Sequence, residues 1–327
     1  MTSRVAAIDC GTNSIRLLVA EIDDDGALLE LDRRMEIVRL GQGVDRTGEL
    51  HPEALERTLA ATRQYAEIIR SHGVTEVRYV ATSATRDARN RDEFFGGVRD
   101  ILGVGVEVIS GGEEAELSFL GATSSVAQTH PGPFLVVDLG GGSTELVLGT
   151  GHVEAGHSMD IGSVRMTERH LVPGDHDAPP SSDQIENARA DVRAALDAAA
   201  TVVPLDRTVT LVGLAGTVTT VTAHALGLAA YDRERVDGAT LGVPAVLESC
   251  AALLGSTRPE REAMGFLHPG RVDVIAAGAL VWAEVVERVA RDVAAAGGEL
   301  REVVTSEHDI LDGIARALVA PAAPGSR

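Results

Sequence analysis

One short pattern occurs twice in this chain, and that repeat constrains the fold more than any other feature. Asp9-Cys10-Gly11-Thr12-Asn13-Ser14-Ile15-Arg16-Leu17 aligns with Asp138-Leu139-Gly140-Gly141-Gly142-Ser143-Thr144-Glu145-Leu146, with Asp, the first Gly, Ser and the final Leu in register. An apolar run, Val5 to Ile8 or Phe134 to Val137, precedes each copy, and a β-prone run follows it. Turn formers between two such runs read as the tip of a hairpin. One such hairpin says little. Two copies, each opening one half of the chain, predict a duplicated α/β domain.

The remaining pattern fits that frame. In the first half, strands are expected at Val5 to Ile8, Ile15 to Ile22 and around Leu28 to Val38. A helix follows behind Pro52, with Leu55, Leu59, Ala66 and Ile69 at helical spacing and Gly73 as its stop. Strands at Val77 to Ala81 and Val106 to Ile109 and helices at Thr85 to Leu102 and Gly112 to Ser125 complete the order βββαβαβα. The loop Thr129-His130-Pro131-Gly132-Pro133 sets the expected boundary, giving domains 1–128 and 129–327, with both Glu113 and Glu114 in the first. The second half predicts a hairpin around 138–143 and helices at Asp183 to Ala199 and Val272 to Val289. It also predicts a buried strand, Thr208 to Leu211, ahead of Gly213-Leu214-Ala215-Gly216-Thr217 and a further helix. A last strand, Leu300 to Val304, leads to a helix around Asp309 to Leu318, and the tail from Ala320 to Arg327 is expected to be loose.

Composition narrows the function. With 327 residues and 44% hydrophobic content, the chain can bury its core without disulfide staples. Cys10 and Cys250 lie in no CxxC pair or Cys/His cluster, which predicts a reducing compartment and no structural zinc. The start of the chain carries no secretory pattern, and no apolar run reaches the length of a membrane span, so a cytoplasmic location is expected. A net charge of -20, from 29 basic and 49 acidic residues, argues against nucleic acid or an anionic membrane as partner. The chain contains no Lys, so any charged side chain on a phosphate must be a guanidinium, which grips two oxygens at once. Screening over about 8 Å lets a few arginines present local positive potential on an acidic protein.

A Gly-rich bend exposes successive backbone N–H groups with no side chain in the way, and such a nest binds an anion. Gly11, Thr12, Asn13 and Ser14 form one such candidate, and Gly140, Gly141, Gly142 and Ser143 the other. The plainer reading is two ordinary β-turns. An Asp at the strand end repels phosphate but can hold a divalent metal that bridges to it, which nominates Asp138 and, with less support, Asp9. Alternation along the returning strands places Ser14 with Arg16, and Ser143 with Glu145, making Arg16 a phosphate contact and Glu145 a metal ligand.

These motifs resemble the exopolyphosphatase / guanosine pentaphosphate phosphohydrolase family, within the actin-like and sugar-kinase-like phosphotransferases. Besides both bends, the resemblance rests on Ala81-Thr82-Ser83-Ala84-Thr85-Arg86-Asp87-Ala88-Arg89-Asn90, Ile109-Ser110-Gly111-Gly112-Glu113-Glu114-Ala115, Gly213 to Thr220 and Gly270-Arg271-Val272-Asp273-Val274-Ile275. It implies two ribonuclease-H-like (actin-like) α/β domains with the active site in the interdomain cleft, releasing orthophosphate from chain ends with Mg²⁺ or Mn²⁺. Longer members append helical domains, one bearing an HD-type motif. Here His176-Asp177 and His308-Asp309 lack a second spaced set of ligands, and short polyphosphate chains are the expected substrate.

Anhydride hydrolysis needs a positioned water, a group to deprotonate it, and donors for the charge on the transferring phosphoryl. Glu113 and Glu114 are adjacent and so point different ways on a helix; as ordinary residues of a first turn they would only favour its dipole. The resemblance puts the catalytic carboxylate at Glu114, with Glu113 as fallback, and makes Arg86 a phosphate clamp. Arg271 is a second clamp candidate, and Arg89 and Arg165 are weaker ones. Gly216 and Thr217 open a helix whose N–H groups suit a phosphate or an adenosine-type group. Aromatics are only 3% of the chain, which favours inorganic polyphosphate over guanosine pentaphosphate. The alternatives carried forward are guanosine pentaphosphate hydrolysis and a silent polyphosphate or alarmone sensor, and a homodimer is a candidate assembly.

Overall fold

The computed structural model describes residues 2–23, 27–171 and 177–319. Two compact units emerge, one from the segment up to Ser110 plus the segment from Ile310 onward, the other spanning Gly111–Asp309.

In the first unit, β1 (Ser3–Cys10) pairs antiparallel with β2 (Ser14–Ile22), and β2 with β3 (Leu28–Ile37). Helices α1 (Val44–Thr47) and α2 (Pro52–Ser71) lead to β4 (Glu76–Ala81), parallel to β1. Then α3 (Ser83–Asp87) and α4 (Arg91–Leu102) precede β5 (Val106–Val108), which closes the order β3-β2-β1-β4-β5. Alternation gives this sheet two faces. Ala6, Ile8, Cys10, Ile15, Leu17, Val19, Tyr79 and Ala81 enter a buried cluster with Tyr65 and Ile69 of α2 and Phe94 and Val98 of α4.

The second unit starts with α5 (Gly111–Val126), followed by β6 (Phe134–Leu139), β7 (Thr144–Gly149) and β8 (Val153–Met159). Next come α6 (Ser163–His170), α7 (Ser182–Ala200), β9 (Thr210–Leu214), α8 (Ala215–Ala225), α9 (Arg233–Val236) and β10 (Thr240–Gly242). The unit ends with α10 (Val243–Gly255), α11 (Arg258–Ala263), α12 (Ile275–Ala295) and β11 (Glu302–Thr305). Its strand order β10-β11-β9-β6-β7-β8 contains the first unit's order, with β8, β7, β6, β9 and β11 standing for β3, β2, β1, β4 and β5. The pairing senses match strand for strand, so the duplication read from the two bends extends through both sheets. The chain is mixed α/β, as expected.

The expected boundary at 128/129 is corrected. Loop composition marks where the chain turns, but packing decides which sheet a helix serves. Helix α5 precedes that loop, yet packs on β6, β7 and β8 of the second unit, so the division falls between Ser110 and Gly111. Its counterpart α13 (Ile310–Val319) ends the described chain and packs on β1 and β2 of the first unit. There Asp312, 1% exposed, accepts two bonds from Nη2 of Arg33 on β3, at 2.9 and 3.0 Å.

Alternation also splits the second sheet. Leu135, Val137, Leu146 and Leu148 face the large cluster built with Val192, Leu196, Trp282 and Val285. Phe134, Val136, Val147, Val212 and Leu214 face the other way, onto Ala115, Phe119, Ala122 and Val126 of α5. The approach of α5 to the segment before α13 is close at Gly121, where a Cβ would lie 1.9 Å from the Asp309 carbonyl oxygen. Gly121→Ala is therefore expected to destabilise the protein by about 1–3 kcal/mol. Chemical denaturation with unchanged slope and a lower midpoint would show it; an unchanged midpoint would contradict the contact.

Strand β8, helix α6 and the segment β10 to α11 had no counterpart in the expected pattern. Leu300 to Val304, Asp309 to Leu318 and Val272 to Val289 correspond to β11, α13 and α12, with shifted ends. Both cysteines are buried and unpaired. No helix of the described residues is long and apolar enough to cross a membrane. His176 and the tail from Ala320 lie outside the described residues.

Candidate active site

The α5-facing side of the second sheet carries acids where apolar alternation runs out. Asp138 follows Phe134 and Val136 on that side of β6, and Glu145 precedes Val147 on that side of β7. The two are direct cross-strand partners. Glu114 comes down from the first turn of α5, so three carboxylates from three elements converge on one side of one sheet. They are 8%, 7% and 1% exposed for Glu114, Asp138 and Glu145 respectively, whereas Glu113 is exposed. This places Glu114 in the second unit, not with the first as the loop boundary implied.

Hydroxyl groups hold the acids. Ser118 Oγ donates to Asp138 Oδ2 at 2.6 Å, and Ser158 Oγ, opposite Glu145 on β8, donates to Glu145 Oε1 at 2.7 Å. Gly111 lets Ser158 in, because a Cβ there would meet Ser158 Cβ at 2.5 Å. Burial pushes the Glu145 carboxyl well above the usual range, and the charges of Glu114 and Asp138 push the same way; the Ser158 and Ser143 hydroxyls oppose them. A carboxyl that stays protonated when folded but ionises when unfolded gives the folded state more bound protons. Stability then falls as pH rises above the ordinary value of 4.5 toward the raised one. In chelator, Glu145→Gln, which fixes the neutral form, should flatten the decline of melting temperature with pH. An unchanged slope would contradict the strained burial of Glu145.

Beside the acids, the bend 140–143 is built from backbone contacts. Gly140 N–H donates to Ser143 O, and the N–H groups of Ser163 and Val164, opening α6, donate to Gly140 O and Gly141 O. Gly162 makes that seat possible, since a Cβ would lie 2.4 Å from Gly141 O. Arg165 Nε donates to Gly142 O at 2.7 Å, so this candidate clamp buttresses the bend from behind. Thr144 Oγ1 donates to Ile161 O and fixes the start of β7.

The first unit repeats the geometry with a different charge pattern. Asp9 and Arg16 are cross-strand partners at the positions of Asp138 and Glu145, and Arg16 donates to Asp9 Oδ2 through Nε at 3.0 Å and Nη2 at 2.6 Å. The expected phosphate contact and the expected metal ligand therefore hold each other, an acid with its counter-ion where the second unit has two acids. Gly11 N–H donates to Ser14 O, the counterpart of the Gly140 to Ser143 bond, and Thr12 is buried. Asn13 Oδ1 is buried with no hydrogen-bond partner. Arg86, in the last turn of α3, donates through Nη1 to Ile109 O. Arg89 pairs with Glu49 and Thr47 O at the surface.

Elsewhere in the second unit, Gly213 and Leu214 end β9 and α8 begins at Ala215, so the expected glycine loop is a direct strand-to-helix junction. Ala215 adopts φ 67°, the left-handed region, and Gly216 lies under Arg271, whose Cζ would be 2.2 Å from a Cβ there. Thr217 is buried against Gly278. His308 Nε2 lies 3.6 Å from Asp237 Oδ2.

The family model for the Ppx/GppA phosphatase family matches residues 18–308. The chain belongs to the Ppx/GppA phosphatase family. Among relatives, Exopolyphosphatase 2 of Mycobacterium tuberculosis (strain ATCC 25618 / H37Rv) is 50% identical over 329 residues, covering 97% of this chain and 98% of that protein. Among solved structures, an exopolyphosphatase-like protein aligns with TM-score 0.93 at 48% identity, covering 97% of each chain. The Aquifex aeolicus PPX-GPPA enzyme aligns with TM-score 0.77 at 30% identity, over 97% of this chain and 100% of that one. The fold is the two-domain actin-like fold of this family. Ser118, Ser158 and Gly162 belong to none of the sequence motifs. The repeat itself held the signal for Ser158, since a third strand in the first half demands one after the second hairpin.

Proposed function

We propose that this Ppx/GppA family chain is an exopolyphosphatase, hydrolysing terminal phosphoanhydride bonds of inorganic polyphosphate with a divalent cation. The observation that carries the reading is the convergence of Glu114, Asp138 and Glu145 beside the bend 140–143. Among the described residues, no three His, Cys, Asp or Glu side chains enclose a metal ion by themselves. Mg²⁺ or Mn²⁺, as a hard cation, would take carboxylate oxygens here. Asp138 and Glu145 fit this task, because two buried neighbouring acids gain from an interposed cation. When bound, the ion would polarise the phosphoryl group under attack.

The chain's own residues supply the rest. Glu114 orients water and takes its proton as oxygen attacks the terminal phosphorus; the anhydride bond breaks, and the shortened chain leaves as a phosphate anion. In the second unit, the backbone N–H groups at Gly141, Gly142 and Ser143 are the candidates to receive phosphoryl oxygens, with Arg271 as a further phosphate contact; in the first unit the corresponding candidates are Gly11 to Ser14 and Arg86. Asp9, paired with Arg16, has its charge already offset within the first unit.

Orthophosphate release from polyphosphates of graded length, with Mg²⁺ and with chelator, tests the reading, using guanosine pentaphosphate as competitor. Stepwise, Mg²⁺-dependent release from polyphosphate is expected. Binding without release would leave a sensor, and preferential release from guanosine pentaphosphate would change the substrate.

A further inference from the structure

Helix α5 carries several hydroxyls, and one behaves unlike the others. Thr123, Ser124 and Ser125 each donate back to a carbonyl three or four residues earlier in the same helix. This is the ordinary fate of a helical Ser or Thr. Ser118, fully buried, instead reaches out of the helix to Asp138 Oδ2 at 2.6 Å. It stands four residues after Glu114, so both side chains lie on the same face of α5. A hydroxyl-to-carboxylate bond of this length is charge-assisted and fixes which way the acceptor turns.

We propose that Ser118 is a positioning residue, setting the orientation of the Asp138 carboxylate toward a divalent cation and tying it to the helix that carries Glu114. This rests on the assignment of Asp138 as a cation ligand. Partners one step behind a ligand tune affinity as strongly as they do because a carboxylate free to rotate must be ordered when the ion binds. Ser118 thus links the ligand on β6 and the base on α5 through one buried hydrogen bond.

The test is a Mn²⁺ titration followed by the spin resonance of free ion, run on wild type, Ser118→Ala and, as control, Ser124→Ala. Melting temperatures are measured beside it. Ser118→Ala is expected to weaken Mn²⁺ binding by about tenfold, while Ser124→Ala binds as wild type. In phosphate release, Ser118→Ala should need correspondingly more Mg²⁺ for half-maximal rate, with the polyphosphate KM at saturating Mg²⁺ unchanged. Mn²⁺ affinity of Ser118→Ala equal to wild type overturns the proposal, as does a wild-type protein that binds no Mn²⁺, or an equal loss in Ser124→Ala. If wild type binds Mn²⁺ and Ser118→Ala weakens it, but no polyphosphate is hydrolysed, the substrate reading fails and the role of Ser118 stands.

Discussion

Glu114→Gln is expected to lower the turnover of polyphosphate by about 10² to 10⁴-fold while leaving KM close to that of wild type. The amide keeps the size of the carboxylate and its place on α5, so what is lost is the ability to accept a proton from water. Glu113→Gln, one residue earlier but exposed, should retain near wild-type turnover. A second signature follows from the buried acids. Removing the Glu114 charge relieves one of the causes that push Glu145 upward, so Glu145 should ionise at lower pH in the variant. Steady-state phosphate release as a function of substrate reads the first effect. Full turnover in Glu114→Gln, or an equal loss in Glu113→Gln, would contradict the assignment.

Asp138→Asn carries the next largest expectation. The amide oxygen can still accept from Ser118, so the local packing survives, but one negative donor beside Glu145 is gone. Loss of about 3 kcal/mol of transition-state stabilisation, a modest share of what a bound cation supplies, corresponds to about a hundredfold in turnover. The Mg²⁺ concentration for half-maximal rate should rise with it. The same change at the repeated position of the first unit, Asp9→Asn, should leave the Mg²⁺ requirement where it was, because Asp9 is neutralised by Arg16. Equal shifts in Mg²⁺ requirement for the two variants would contradict the difference in charge between the two copies of the bend.

The sequence made the hairpins legible because their signal is local. Strand alternation and turn formers sit within ten residues of one another, and the repeat supplies a second copy to check the first. What it hid depends on packing at a distance. The periodicity of α5 shows an apolar side containing Ala115, Phe119 and Ala122, but not which sheet receives it, so the loop after α5 groups Glu114 with the first half while packing gives it to the second unit. Strand β8 escaped because Val153 to Met159 contains Gly156, His157 and Ser158 where a strand signal favours β-branched and aromatic residues. The pairing of Arg16 with Asp9 is not legible either, because it depends on the hairpin register that makes the two residues cross-strand partners. Ser118 and Gly162 matter through one contact each, a hydrogen bond and a missing Cβ, and neither leaves a trace in composition or spacing.

The central claim is that the divalent ion belongs to the acids of the second unit. Anomalous diffraction from crystals soaked in Mn²⁺ locates the ion directly. A peak within bonding distance of the Asp138 or Glu145 carboxylate is the result this account predicts. A well-occupied peak elsewhere, with none beside those two residues, would contradict it.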